Sequence, residues 1–179
     1  RNPERIQVQL SRTGQAGGIP IKLTKGVTAV AGSSTHEIAY LLEGLPTDRP
    51  LQFGVEFNFS GLPSHAEDRY FYRGDSQRLG ELQTQLDLNE VQDLCMTDQW
   101  LGIDVRMVAN QPTSWWTFPV ETVSQSEGGF ELVHQSVVVH PHWFVRGDAQ
   151  GRWSVVMELE LDTSTARNRM DESIGAAVS

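Results

Sequence analysis

The sequence predicts an all-β fold, an antiparallel β-sandwich of about nine to eleven strands with little helix. Three observations lead there. Apolar and polar residues alternate along most of the chain, the spacing that sends one set of side chains to a core and the other to water. Glycine, proline and aspartate punctuate that alternation at short intervals, which suits hairpins and leaves no room for the long crossover helices of a parallel sheet. One segment, Leu51 to Ser60, puts Leu51, Phe53, Val55, Phe57 and Phe59 on a single face, and so aromatic a face needs a second layer to cover it.

In chain order, Ile6, Val8 and Leu10 alternate with Gln7, Gln9 and Ser11, and the glycines from Gly14 to Gly18 turn the chain. Ile19, Ile21 and Leu23 resume the pattern, Lys25-Gly26 interrupts it, and Val27 to Ala31 continue it. Around Ile38, Tyr40 and Leu42 the pattern is mixed and suggests burial on both faces. Residues 61–77 are polar and turn-rich and are expected to form a loop, tacked to the body by Tyr70-Phe71-Tyr72. Leu82, Leu86 and Leu88 suggest a strand, in competition with a short helix over Leu88 to Leu94 that Asp87 would cap. Further strands are expected at Ile103 to Met107, Trp115 to Val123, Phe130 to Val139 and Trp153 to Asp162, with a hairpin turn at Gly128-Gly129. No repeat of fixed period supports a propeller or solenoid. Residues 1–165 form one sandwich domain in this reading, and 166–179 a polar tail, frayed or packed on structure outside the chain.

Composition narrows the function. The 179 residues carry 14 Lys and Arg against 23 Asp and Glu, a net charge of −9, with no basic run, so nucleic acid and anionic membrane surfaces are poor partners. No stretch approaches the ~20 apolar residues of a membrane span. The single cysteine, Cys95, can make neither an internal disulfide nor a multi-thiolate metal site, and is expected to be a small buried hydrophobe. That usage fits a reducing, cytoplasmic location, with export of a parent protein left open. The chain begins at Arg1 and ends on Ala176-Ala177-Val178-Ser179, and it is expected to be a piece of something longer.

No cofactor or metal is expected. Gly14, Gly17 and Gly18 lack the Lys-Ser/Thr and the helix of a phosphate loop, and no Gly-x-Ser-x-Gly elbow is present. His140 and His142 would share one side of an extended strand, but zinc needs three or four protein ligands and His134 is isolated. A turn at Pro141 with partly exposed imidazoles is the plainer account. Glu121, Glu127 and Glu131 fall in a polar stretch between two strand patterns, with Trp115 and Trp116 just upstream and Trp100 at an earlier turn. Tryptophan faces beside carboxylates and amides are a common grip on sugar rings, whose C–H faces stack and whose hydroxyls need polar partners. Two carboxylates held about 5–9.5 Å apart could also cleave a glycosidic bond. Backbone or arginine hydrogen bonding at a buried edge would account for Glu121 and Glu131 equally well.

The block from Trp115 to Trp143, with Trp-Trp-Thr-Phe-Pro-Val-Glu at its start and Val-Val-Val-His-Pro-His-Trp at its end, resembles the C-terminal β-sandwich of the alpha-amylase and 4-alpha-glucanotransferase family, glycoside hydrolase family 57. Phe53-Gly-Val-Glu-Phe-Asn58, Asp98-Gln-Trp-Leu-Gly102 and the Trp153 strand resemble other segments of that domain. The resemblance implies a galactose mutarotase-like sandwich. It also implies that the catalytic glutamate and aspartate belong to an N-terminal barrel domain that is not in this chain, so no residue here inherits either role.

The favoured expectation is therefore a non-catalytic C-terminal domain of an alpha-glucan hydrolase or transferase, packed on that barrel and contributing to glucan binding. Glu56, Trp100, Trp115, Trp116, Glu121, Glu127 and Glu131 are the candidate sugar or interdomain contacts. One alternative is a free-standing carbohydrate-binding module with Trp100, Trp115 and Trp116 as platforms; another is a sugar epimerase or hydrolase using Glu56, Glu121 or Glu131. The favoured reading expects an exposed apolar surface larger than a monomer normally shows.

Overall fold

A computed structural model of the chain describes residues 4–74, 76–126 and 129–178. Its elements are β1 (Arg5–Ala16), β2 (Ile19–Val30), β3 (Thr35–Glu43), β4 (Leu51–Gly54), β5 (Phe57–Ser60), β6 (Arg69–Arg73), β7 (Gln77–Glu81), β8 (Asp87–Asp98), β9 (Ile103–Ser126), β10 (Gly129–Val145), β11 (Arg152–Asp162) and α1 (Ser164–Val178). The eleven strands pair antiparallel in the order β1-β2-β3-β11-β9-β8-β6-β7, and β10 branches from β9 to pair β4 and β5.

That branch makes two layers from one hydrogen-bonded network. β9 pairs β11 from Asp104 to Ala109, then pairs β10 from Ser114 onward. Between these stretches lies Asn110-Gln111-Pro112. Pro112 has no N–H to give a ladder, while the Asn110 side-chain oxygen accepts the Val156 N–H at 3.1 Å and continues the pairing with β11. β8 bulges at the same level, with register shifts between Leu88 and Asp93 and a left-handed Glu90. Bulges of this kind bend strands and let them cross from one layer to the other.

The layers close over a shared core. Ile38, Tyr40, Val155, Met157, Met107 and Phe71 come from the first layer, and Trp115, Val137, Val139, Trp143 and Val145 from the second. Phe53 on β4 meets Tyr40 at 5.7 Å, Trp143 at 5.9 Å and Trp153 at 5.8 Å between ring centroids, so aromatic packing joins the two layers.

Local details differ from the sequence expectations at several points. The single strand expected over Leu51 to Ser60 is split into β4 and β5, although its register against β10 is unbroken: His142 faces Gly54 and Val139 faces Phe57. Pro141 lies opposite the gap and cannot donate; its carbonyl still accepts Val55 N–H at 3.0 Å. Pro141 is thus inside a strand and not at a turn, and His142 is buried. The expected loop at 61–77 contains β6, whose Phe71 enters the core, while Leu82 is buried from a turn that was expected to be a strand. Residues 87–98 are β8, which displaces the competing helix. The tail is helix α1, whose Arg169 donates to the carbonyls of Trp100 at 2.7 Å and Gln99 at 3.1 Å; it docks on this chain's own β8–β9 turn.

Candidate functional site

Strand parity assembles one group of candidates on the outer face of the second layer. Asp87 of β8 faces Trp116 of β9, Trp116 faces His140 of β10, and His142 faces Gly54 of β4. The Trp116 ring lies 4.0 Å from that of His142 and 5.5 Å from that of His140, while its Nε1 donates to Asp87 at 3.2 Å. Glu56 lies on the same face, where it accepts the Asn58 amide at 2.7 Å, and Asn58 in turn accepts the Ser136 hydroxyl at 3.2 Å. A Cβ added to Gly54 would sit 2.5 Å from His140 Nε2, so only glycine lets this imidazole lie flat across the strand.

The result is an indole, 37% exposed, flanked by polar groups of both hydrogen-bonding senses. Such a row can hold a sugar ring by stacking and by hydroxyl contacts. Burial, together with neighbouring His142, holds the His140 imidazole below its ordinary value, and the Glu56 charge works in the opposite direction. A lowered folded value means that the unfolded chain binds the proton more readily. The His140 contribution to stability is therefore intact above the ordinary imidazole value of ~6.5 and is lost as pH falls through and below it. The urea midpoint is expected to fall between pH 7.5 and pH 5, and His140→Gln to flatten part of that slope; an unchanged slope in the variant would refute the assignment.

The other candidates lie elsewhere. Trp115, one residue from Trp116, has 0% exposure and points into the core, where its Nε1 donates to the Val91 carbonyl at 3.1 Å. This corrects its reading as a sugar platform, since it has no free face. Trp100 sits at the β8–β9 turn, 72% exposed. Glu121 and Glu131 are exposed on the projecting β9–β10 ribbon, but Glu121 pairs with His134 and Glu131 with Ser124, on opposite faces. They cannot flank one glycosidic bond from there. Glu127 lies outside the described residues. Cys95 is buried, and burial, helped by the Asp93 charge, pushes its thiol up to about 11, so it stays protonated at neutral pH. Among the described residues, no group of three or more His, Cys, Asp or Glu is placed to hold a metal ion.

His140, His142, Asn58 and Asp87 were not singled out from the sequence as parts of this site. The signal available was parity: if Pro141 is inside a strand, His140 and His142 fall on the face of Trp116 and Glu56, opposite Trp115 and Trp143.

The profile of the family described as alpha-amylase/4-alpha-glucanotransferase, C-terminal, matches residues 1–157. The chain belongs to that family. Among curated proteins, alpha-amylase 1 of Dictyoglomus thermophilum is 29% identical over 121 residues, covering 66% of this chain and 17% of that protein. Among solved structures, the 4-alpha-glucanotransferase of Thermococcus litoralis superposes with a TM-score of 0.58 at 18% identity, covering 89% of this chain and 21% of that one. The chain thus spans about a fifth of the length of these two family relatives. A putative aldose 1-epimerase from Escherichia coli superposes with a TM-score of 0.59 at 9% identity over 87% of this chain and 65% of its own. That likeness shows the mutarotase-type fold and nothing of its chemistry. Among the described residues, no helix is long and apolar enough to cross a membrane.

Proposed function

We propose that the chain is the non-catalytic C-terminal sandwich of an alpha-glucan hydrolase or 4-alpha-glucanotransferase, seated on an N-terminal catalytic barrel and lending contacts to glucan. The observation that carries this reading is the inner face of β1. Val8 faces Val27 and Leu10 faces Lys25, so Ile6, Val8 and Leu10 continue the side on which β2 and β3 enter the core. Yet Ile6, Val8 and Leu10 are 67%, 50% and 61% exposed. The first layer is wider than the second and extends its apolar face beyond it. A second exposed apolar surface lies on the β9–β10 ribbon, where Val123 faces Leu132 and Phe130 follows on the same side. Contiguous apolar surface of this sort marks an interface with another body.

The test is hydroxyl-radical footprinting of this chain beside the full-length product of its open reading frame. Labelling of Ile6, Val8, Leu10, Phe130 and Leu132 is expected to drop several-fold in the longer protein. That protein should hydrolyse or transfer maltooligosaccharides, and this chain should do neither. Equal labelling in both would remove the barrel-docking reading.

A further inference from the structure

A cavity of about 540 Å³ opens between β6, the β8–β9 turn and the first turns of α1. It lies in the size range of small-ligand sites, about 300–1,000 Å³, and shares no lining residue with the outer-face row around Trp116. Tyr70, Tyr72, Gln99, Asp104, Thr165 and Arg169 supply its walls.

The hydrogen bonding of those walls limits what fits. Tyr72 donates to Asp104 Oδ1 at 2.8 Å, and Gln99 donates to the Tyr70 hydroxyl at 3.2 Å. These bonds fix both rings and leave the second Asp104 oxygen, the Tyr70 proton and the Thr165 hydroxyl with capacity for a ligand. Arg169 gives the cavity a positive charge, but its two terminal nitrogens are engaged with the carbonyls of Trp100 and Gln99. Buried Asp98, also in the wall, is matched by Arg69 at 2.8 Å. Among the described residues of its walls, Asp104 and Arg169 then oppose one another in sign, so these walls carry no surplus charge to attract an anion or a cation. An apolar ligand would strand the polar walls. What remains is a neutral, hydroxyl-rich molecule that exchanges water's hydrogen bonds for these and lies against tyrosine rings.

We propose that this cavity is a binding site for a neutral saccharide. The choice of an alpha-glucan as the first probe rests on the function proposed above; the class of ligand rests on the cavity itself. The helix is part of the site, because a Cβ at left-handed Gly102 would lie 2.7 Å from the Ala166 nitrogen, so glycine there is what lets α1 close one wall.

The experiment is an amide NMR titration of this chain with maltotriose and, separately, cellotriose. Maltotriose is expected to shift the amides of residues 70–72, 97–104 and 165–169 saturably, and Asp104→Asn to weaken binding about tenfold, the scale of one charge-assisted hydrogen bond. Thr165→Val, a variant at the exposed wall, should weaken it less while leaving the remaining spectrum unchanged. Cellotriose binding at these amides without maltotriose binding would support the site and count against the alpha-glucan reading. Saturable shifts centred on Trp116 and His140 instead, or no shift with either sugar up to its solubility, would overturn the proposal and leave the barrel-docking test untouched.

Discussion

Asp98→Ala is expected to lower the unfolding free energy by about 3 kcal/mol, the low end of the cost of breaking a buried ion pair. Asp98 is buried at the end of β8, with Oδ2 2.8 Å from Arg69 Nε and Oδ1 accepting the Leu101 N–H at 2.8 Å. Alanine leaves Arg69, itself nearly buried, with only Asp68 as an ion-pair partner, and leaves the Leu101 N–H without its acceptor. The remaining Asp68 contact keeps the loss at the low end of that range. Asp98→Asn should cost less, since an amide oxygen still serves Leu101. Urea denaturation of the three chains measures both differences. A loss below about 1 kcal/mol for alanine would mean that the pair is no stronger than a surface one.

The second large effect separates neighbours. Trp115→Ala should cost about 3–5 kcal/mol, the range for emptying an aromatic from a core. Its indole is fully enclosed, and its loss also removes the donor to the Val91 carbonyl at the bulge in β8. Trp116→Ala, one residue along, should cost about 1 kcal/mol or less and instead open the outer-face row over His140 and His142. Thermal and urea unfolding of both variants check this; similar losses in the two would show that the strand parity around Pro141 is misassigned.

The sheet was legible wherever one face of a strand meets water. The alternations at Leu51 to Phe59 and Trp153 to Leu161 lie in strands, because a half-exposed strand writes its parity into the sequence, and that at Ile6 to Leu10 lies in β1, whose apolar face is exposed as well. Three features were not legible from local pattern. β6 hides among turn residues because its role is set by pairing with β8, whose Met96 faces Phe71. Leu82 is buried without belonging to a strand, so its periodicity misled. Pro141 looked like a turn because proline usually ends a ladder, yet here the missing donor merely interrupts one edge while the register continues. That same residue decides whether His140 and His142 are loose turn residues or members of a row with Trp116. Family resemblance carried the domain assignment; the separation of Glu121 from Glu131 needed the register of the ribbon.

β9 has a kinetic consequence. A single strand of 24 residues belongs to both layers, pairing β11 early in its length, β8 from Ile103 to Trp116 and β10 from Ser114 onward. The first layer cannot be completed until β11, some distance along the chain, has returned to β9 and to β3. Chain entropy must therefore be surrendered before most of the rewarding contacts exist, a recipe for slow folding. The same sharing works in reverse: peeling one layer away means breaking the strand that anchors the other, so the domain should come apart as one unit.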